Sequence, residues 1–237
     1  MLRFAVLLFC AGLALPGLAN DAATVSQLAG VLSVRQLDGA VKLLALNSTV
    51  RAGDLLSTGP KSYARLKFVD GGELTLRPNT QLRIDDFRFE QDKPEQDNAF
   101  FQLLKGGLRA VTGLVGKRNN LAAYKMTTPT ATIGIRGTNY GALYCQDDCA
   151  DYQTNTGQVP ANGLHVDVHE GQIVVSNALG SQQYEAGQFG FVGPNQPPLP
   201  VPASAGVPIA TDRGINRPPE TVLGEQADRQ NFECTME

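Results

Sequence analysis

The sequence has no tryptophan, only two histidines and four cysteines, and charged side chains at just 18% of its positions. A pair of histidines is a thin basis for a metal enzyme. His165 and His169 also lie four steps apart in what reads as a strand, about 13 Å at ~3.3 Å per residue, too far to share one ion. The chain contains no Gly-x-Ser-x-Gly, no Walker-type phosphate loop and no cysteine next to a histidine. No nucleophile therefore stands in a recognisable catalytic setting, and neither an enzymatic activity nor a cofactor is expected. A net charge of −3 leaves no electrostatic footprint for DNA or RNA, which excludes nucleic acid as a partner. The apolar run Phe4 to Leu15 falls short of the ~20 residues a spanning helix needs, and no stop-transfer run follows it.

That run does fit an export signal, with Arg3 as its charged start and Gly17-Leu18-Ala19 as a small-x-small cleavage site. The expectation is a signal peptide over residues 1–19, a mature chain from Asn20 without a transmembrane segment, and a periplasmic or secreted location. Cys10 lies inside the apolar run after Phe9, where a lipid-attachment site wants Gly or Ala, so it should leave with the signal.

What the chain has in quantity is glycine, 25 residues, and proline, 14, the punctuation of an all-β protein with many turns. Short alternating stretches such as Val31–Arg35, Val41–Leu46, Tyr63–Phe68 and Leu74–Leu76 are separated by Asp38-Gly39, Asn47-Ser48, Ala52-Gly53-Asp54 and Asp70-Gly71-Gly72. One face of each packs inward and the other meets solvent. The pattern predicts stacked β-hairpins in a sandwich-like or solenoid-like single domain over residues 20–193. Residues 90–98 carry no apolar side chain and should form an exposed loop. Phe100 to Leu114 fits a helical stripe or strands; Gly106, Gly107 and Gly113 favour strands, because glycine in a helix interior costs ~1 kcal/mol. Gly30-Val31-Leu32 followed by Asp38-Gly39 has a loose echo in Gly171-Gln172-Ile173 followed by Leu179-Gly180, and Gly107-Leu108-Arg109 could open a middle copy. Such an echo fits repeated β layers, although generic strands produce it by chance as readily. Eight prolines between Pro194 and Pro219 predict an extended, disordered Pro-rich tail over residues 194–237.

Cys145 and Cys149 flank the three-residue polar turn Gln146-Asp147-Asp148. In an oxidising compartment they can bridge across a hairpin. A zinc site wants four ligands and a redox dithiol prefers two intervening residues, so a disulfide is expected and no metal. Cys234 is then left as a free thiol or a cross-link to another chain. In His165-Val166-Asp167-Val168-His169, alternation buries Val166 and Val168 and exposes the other three. Asp85 and Asp86, as neighbours in a strand, point to opposite faces and cannot act together on one substrate unless a bulge intervenes.

The run Thr128-Pro129-Thr130-Ala131-Thr132-Ile133-Gly134-Ile135-Arg136-Gly137-Thr138-Asn139-Tyr140 resembles the FecR family of extracytoplasmic β domains. So do Gly53-Asp54-Leu55-Leu56-Ser57-Thr58-Gly59, Ala64-Arg65-Leu66, Asp70-Gly71, Leu74-Thr75-Leu76 and Pro78-Asn79-Thr80, and the likeness covers roughly residues 27 to 192. Many relatives have an acidic residue after Arg-Gly-Thr, where this chain has Asn139. The best-understood members look like membrane regulators that relay a receptor's signal to a cytoplasmic anti-sigma segment. Without a second hydrophobic helix, this chain resembles the stand-alone branch. Pro129, Gly134, Arg136, Gly137 and Thr138 form its structural motif. Arg136 is expected to be buried beside Ile133 and Ile135 and paired with backbone carbonyls or with Asp85 or Asp86; as an alternative it contacts an anion or a polysaccharide. The functional expectation is a non-catalytic binding or scaffolding module of the cell envelope, whose partner is an envelope protein or polysaccharide. The alternatives are a periplasmic signalling component acting on a receptor or sigma/anti-sigma regulator and, less in keeping with the residues, a carbohydrate-active or wall-modifying enzyme.

Overall fold

Alternating apolar and polar side chains, interrupted at glycine, proline and asparagine, divide the described residues into 15 strands. A computed structural model describes residues 21–118 and 122–209. The proposed signal peptide with Cys10, and the chain beyond Ile209 with Cys234, lie outside the described residues. In order the strands are β1 (Asp21–Ala29), β2 (Leu32–Arg35), β3 (Val41–Leu44), β4 (Thr49–Arg51), β5 (Leu55–Thr58), β6 (Tyr63–Phe68), β7 (Glu73–Leu76) and β8 (Gln81–Arg88). They continue as β9 (Asn98–Val111), β10 (Tyr124–Thr127), β11 (Thr132–Cys145), β12 (Gly163–Asn177), β13 (Gly180–Glu185), β14 (Phe189–Val192) and β15 (Leu199–Val201). The protein is all-β, and the strands join in one open sheet.

The register of pairing shows how that sheet folds over on itself. One row of strands runs β3-β2-β5-β8, then residues 98–105 of β9, β10, residues 132–136 of β11, residues 172–177 of β12, and β13. The other runs β4-β1-β6-β7, then residues 106–111 of β9, 139–145 of β11 and 163–170 of β12, and ends in β14 and β15. Strands β9, β11 and β12 are long enough to belong to both rows. They change row near Gly106, Gly137 and Gly171, which all have positive φ, and Gly30 plays the same part between β1 and β2.

The two rows face each other across the main core. Phe68 in one row meets Phe87 and Phe101 in the other at ring-centroid distances of 5.0 and 5.3 Å. Tyr124 and Tyr140 share a buried hydroxyl–hydroxyl hydrogen bond of 2.8 Å between the rows, and burial raises the pKa of both phenols. Leu56, Leu66, Leu76, Leu82, Ile84 and Leu103 are fully buried between them. At ~25 cal/mol per Å² of apolar surface, this shared core is the main source of stability.

The ambiguous segment after Phe100 forms part of strand β9. The polar stretch before it is an exposed loop with a short 3-10 turn at Pro94–Gln96, and its buried end, Asp97, receives Arg118 Nη1 at 2.9 Å. The proline-rich segment behaves differently from its composition as far as Ile209. Residues Leu199–Val201 pair with β14 as an edge strand, a position that tolerates Pro200. Val207 and Ile209 are buried at 2% and 0% exposure. The packed part of the chain therefore extends past the boundary at residue 193 that composition suggested.

Candidate functional site

The Thr-Pro motif and the Arg-Gly-Thr motif build two different parts of β11. Thr128 closes the turn before the strand: its Oγ1 accepts the Ala131 N–H at 3.1 Å, and its own N–H donates to the Ala131 carbonyl at 2.8 Å. Pro129 sits exposed at that turn. Farther along, Gly137 donates its N–H to the Gly116 carbonyl at 3.1 Å, and Thr138 donates to Thr112 Oγ1 at 2.9 Å. These bonds pin the place where β11 crosses from one row to the other. Gly171 of β12 lies directly behind it; a Cβ there would come within 2.3 Å of the Gly137 carbonyl oxygen.

Arg136 is exposed, contrary to the expectation of burial. The reason is the period of the strand: Ile133 and Ile135 point inward, so Gly134 and Arg136 point outward. Asp85 instead binds Arg83 at 2.7 Å, and Asp86 accepts from Asn98 Nδ2 at 2.9 Å.

The buried arginine is Arg109 on β9, whose Nη1 lies 2.8 Å from Asp167 Oδ2 on β12. Gly141 of β11 is in register with both, and any side chain there would collide with Asp167. This is the outer face of the second row, where alternation alone would place side chains in water. It is covered because the loop after β11 and the segment ending at Ile209 fold back across it. Leu143, Cys145, Cys149, Val207 and Ile209 form a small second core there, with Tyr152 packed against it. His165 and Asp167 are buried for the same reason, which corrects their expected exposure. His165 is bonded to the Ala161 carbonyl at 2.8 Å and packs on Phe191, and burial lowers its pKa. Burial likewise holds the Asp167 carboxyl above the usual carboxylate range, against the opposing pull of Arg109 and the Ile209 N–H. The Arg109–Asp167 pair ties β9 to β12 beneath this cover.

Cys145 and Cys149 form a disulfide with Cα atoms 5.5 Å apart. Within the loop they close, Gln146 N–H donates to Asp148 Oδ1 at 2.8 Å, Asp147 N–H donates to Asn162 Oδ1 at 2.8 Å, and Lys105 lies 3.1 Å from Asp148. Among the described residues no three His, Cys, Asp or Glu side chains gather as a metal site.

Two depressions among the described residues are larger than a crevice of about 20 Å³ lined by Phe68, Phe87, Phe101 and Tyr124. One of about 60 Å³ beside Arg77, whose guanidinium stacks between Tyr63 and Tyr152, has room for little beyond ordered water. The other, about 530 Å³, is an open cleft between Thr128–Thr132, the β12–β13 turn and Pro194. Its lining offers hydroxyl and amide groups such as Thr132, Ser176 and Asn177, with no charged side chain and no aromatic ring on which a sugar could stack.

Among the described residues the sheet ends in four edge strands, and they differ in chemistry. On β4, Arg51 is tied to Asp21 at 2.7 Å. Strand β13 presents Ser181, Gln183 and Glu185, and β15 carries Pro200. Among the described edges β3 shows the most exposed apolar pair, Val41 and Leu43 at 62% and 75%, against 45% for Leu199 on β15. Leu37 at the adjoining hairpin tip is 84% exposed. Sequence reading placed this strand but not its exposure; the signal was the absence of polar residues in Leu43-Leu44-Ala45-Leu46.

The chain matches the family described as FecR protein over residues 54–174, slightly more than half of its length. Among solved structures it is similar to a candidate anti-sigma factor from Parabacteroides distasonis, at 13% identity and a TM-score of 0.46, with 64% of this chain and 60% of that chain covered. This chain thus spans about 60% of that neighbour's length. It is also similar to a cell surface anchoring domain, at 22% identity and a TM-score of 0.26, over 26% of this chain and 82% of the other. No curated protein matches it. No helix among the described residues is long and apolar enough to cross a membrane. From its Gly-Asp turns to its Arg-Gly-Thr crease, the chain belongs to the FecR family.

Proposed function

We propose that this chain is a non-catalytic binding module of the Gram-negative envelope, periplasmic or secreted, that serves signalling or regulation by engaging a protein partner. Membership of the FecR family supports the regulatory role over plain scaffolding. The observation that carries the binding reading is the clustering of exposed apolar side chains. Of twelve large hydrophobic residues exposed in the described chain, five fall within residues 31–46, and three of these, Leu37, Val41 and Leu43, lie on the β2–β3 hairpin at the sheet edge. Single exposed apolar residues are ordinary, whereas a cluster at one sheet edge is the usual mark of an interaction surface.

Chemical cross-linking in intact cells, followed by affinity capture and mass spectrometry, tests the reading. A transport receptor or a sigma regulator among the products supports signalling. Recovery of wall, secretion or surface-assembly components alone supports the scaffold instead, and an activity abolished by a single Asp or Glu substitution refutes the non-catalytic role.

A further inference from the structure

We infer that β3 is the docking strand, and that its occupant is an extended segment of a partner protein with an acidic residue between two apolar ones. The inference rests on the protein-binding reading above and adds to it the site and the chemistry of the ligand.

The hairpin fixes which backbone groups are free. Gln36 N–H donates to the Ala40 carbonyl at 2.9 Å. Hydrogen-bonded pairs in an antiparallel ladder alternate, so from that pair outward Val34 pairs with Lys42 and Leu32 with Leu44 through hydrogen bonds. The N–H and C=O of Val41 and Leu43 consequently point away from β2, toward the open edge. They can receive one further antiparallel strand. On the sheet's outer face their side chains lie in register with Arg35 and Ser33, so an added strand would place apolar residues against Val41 and Leu43. Lys42 projects to the opposite face of the sheet and is exposed. The residue facing it would be best as a carboxylate, since opposite charges across a pair stabilise and like charges destabilise.

Lys42 also argues against a second copy of this chain as the occupant. Self-pairing centred on residue 42 sets Lys42 against its own counterpart. Shifting the register by two residues to bring Leu43 against Leu43 calls on the backbone of Ala45, which is already occupied by Ser48: Ala45 N–H donates to Ser48 Oγ at 3.0 Å, and its carbonyl accepts from Ser48 N–H at 3.1 Å. A lysine on an edge strand is a common guard against such self-association. Here it leaves the edge selective for a strand of opposite charge.

The test uses the full chain and two labelled nine-residue peptides, one with a Val-Glu-Val centre and one with Val-Lys-Val, measured by fluorescence anisotropy. The acidic peptide is expected to bind at least tenfold more tightly, and Lys42→Glu is expected to reverse that order. Leu43→Pro removes an N–H that faces the partner and none that faces β2, so it should abolish peptide binding; its urea midpoint shows whether the hairpin is intact. Equal binding of the two peptides, or no reversal with Lys42→Glu, overturns the inference. A dimer in sedimentation that Leu43→Pro dissolves assigns the edge to a second copy and also overturns it. If Leu43→Pro still captures the cellular partner, the edge assignment fails while the protein-binding reading stands; if the wild-type chain captures none, the broader reading fails.

Discussion

Replacing Gly171 with alanine separates the two demands that the crease places on the chain. The residue has φ of 75°, in the left-handed region, where a Cβ costs ~1–2 kcal/mol. Its added methyl would also stand 2.3 Å from the Gly137 carbonyl oxygen and 3.0 Å from Thr138 Cγ2. Relief needs a movement of roughly 1 Å, and overpacking of this kind costs ~1–3 kcal/mol. Gly137 cannot yield easily, because its own N–H is bonded to the Gly116 carbonyl and the next N–H to Thr112 Oγ1. Gly39→Ala is the control: φ is 83°, but no atom lies within 4 Å of the added carbon. It should lose only the backbone contribution, ~1–2 kcal/mol. Urea unfolding followed by far-ultraviolet circular dichroism should therefore show Gly171→Ala weaker than Gly39→Ala by ~1–3 kcal/mol at unchanged m-value. In thermal melts, each kcal/mol corresponds to ~2–4 °C for a domain of this size. Equal losses in the two variants would refute the claim that backbone crowding at the crease constrains this position.

Removing the Cys145–Cys149 bridge by paired serine substitution should cost about 2 kcal/mol, the loop-entropy value for a five-residue loop. Intact mass before reduction should show neither thiol open to alkylation. Limited proteolysis should yield a resistant core that retains Ile209; a stable product ending near residue 194 would show that the segment does not hold to the sheet. His165 gives a pH signature: its folded pKa lies below the unfolded value of ~6.5, so on acidification the unfolded chain takes up this proton first. The histidine's contribution to stability should be level above about pH 6.5 and fall as the pH drops from there toward its folded pKa. The difference in unfolding free energy between wild type and His165→Gln should follow that course, and a difference that is constant from pH 8 to 5 would contradict the burial of the ring.

The local content of the fold was legible because each piece was encoded within a few residues. Asp38-Gly39, Asp70-Gly71 and Ala52-Gly53 are turns, each with a glycine at positive φ, and the three-residue spacing of Cys145 and Cys149 led to the bridge. What alternation could not convey is which outer faces would be covered. Arg109, His165 and Asp167 are buried by residues that arrive from Cys149, Val207 and Ile209, and no pattern within their own strands announces that cover. Arg136 was misread for the opposite reason: hydrophobic neighbours at odd spacing made the strand look buried throughout, whereas the pleat turns successive residues to opposite sides. The proline-rich segment shows that composition excludes a central strand more firmly than an edge one, since Leu199–Val201 needs hydrogen bonds on one side only.

The sharing of β9, β11 and β12 between both rows has a mechanical consequence. In a sandwich of separate sheets the layers touch only through side chains and can shear along the plane between them. Here three continuous backbones are stitched through that plane, so a displacement imposed on one layer is carried covalently into the other. A pull applied where a partner grips β3 would load the ladder from β2 through β5 and β8 to β9, and from there both layers at once. Under such a load the two layers would move together, because neither can slide without distorting backbone that belongs to both.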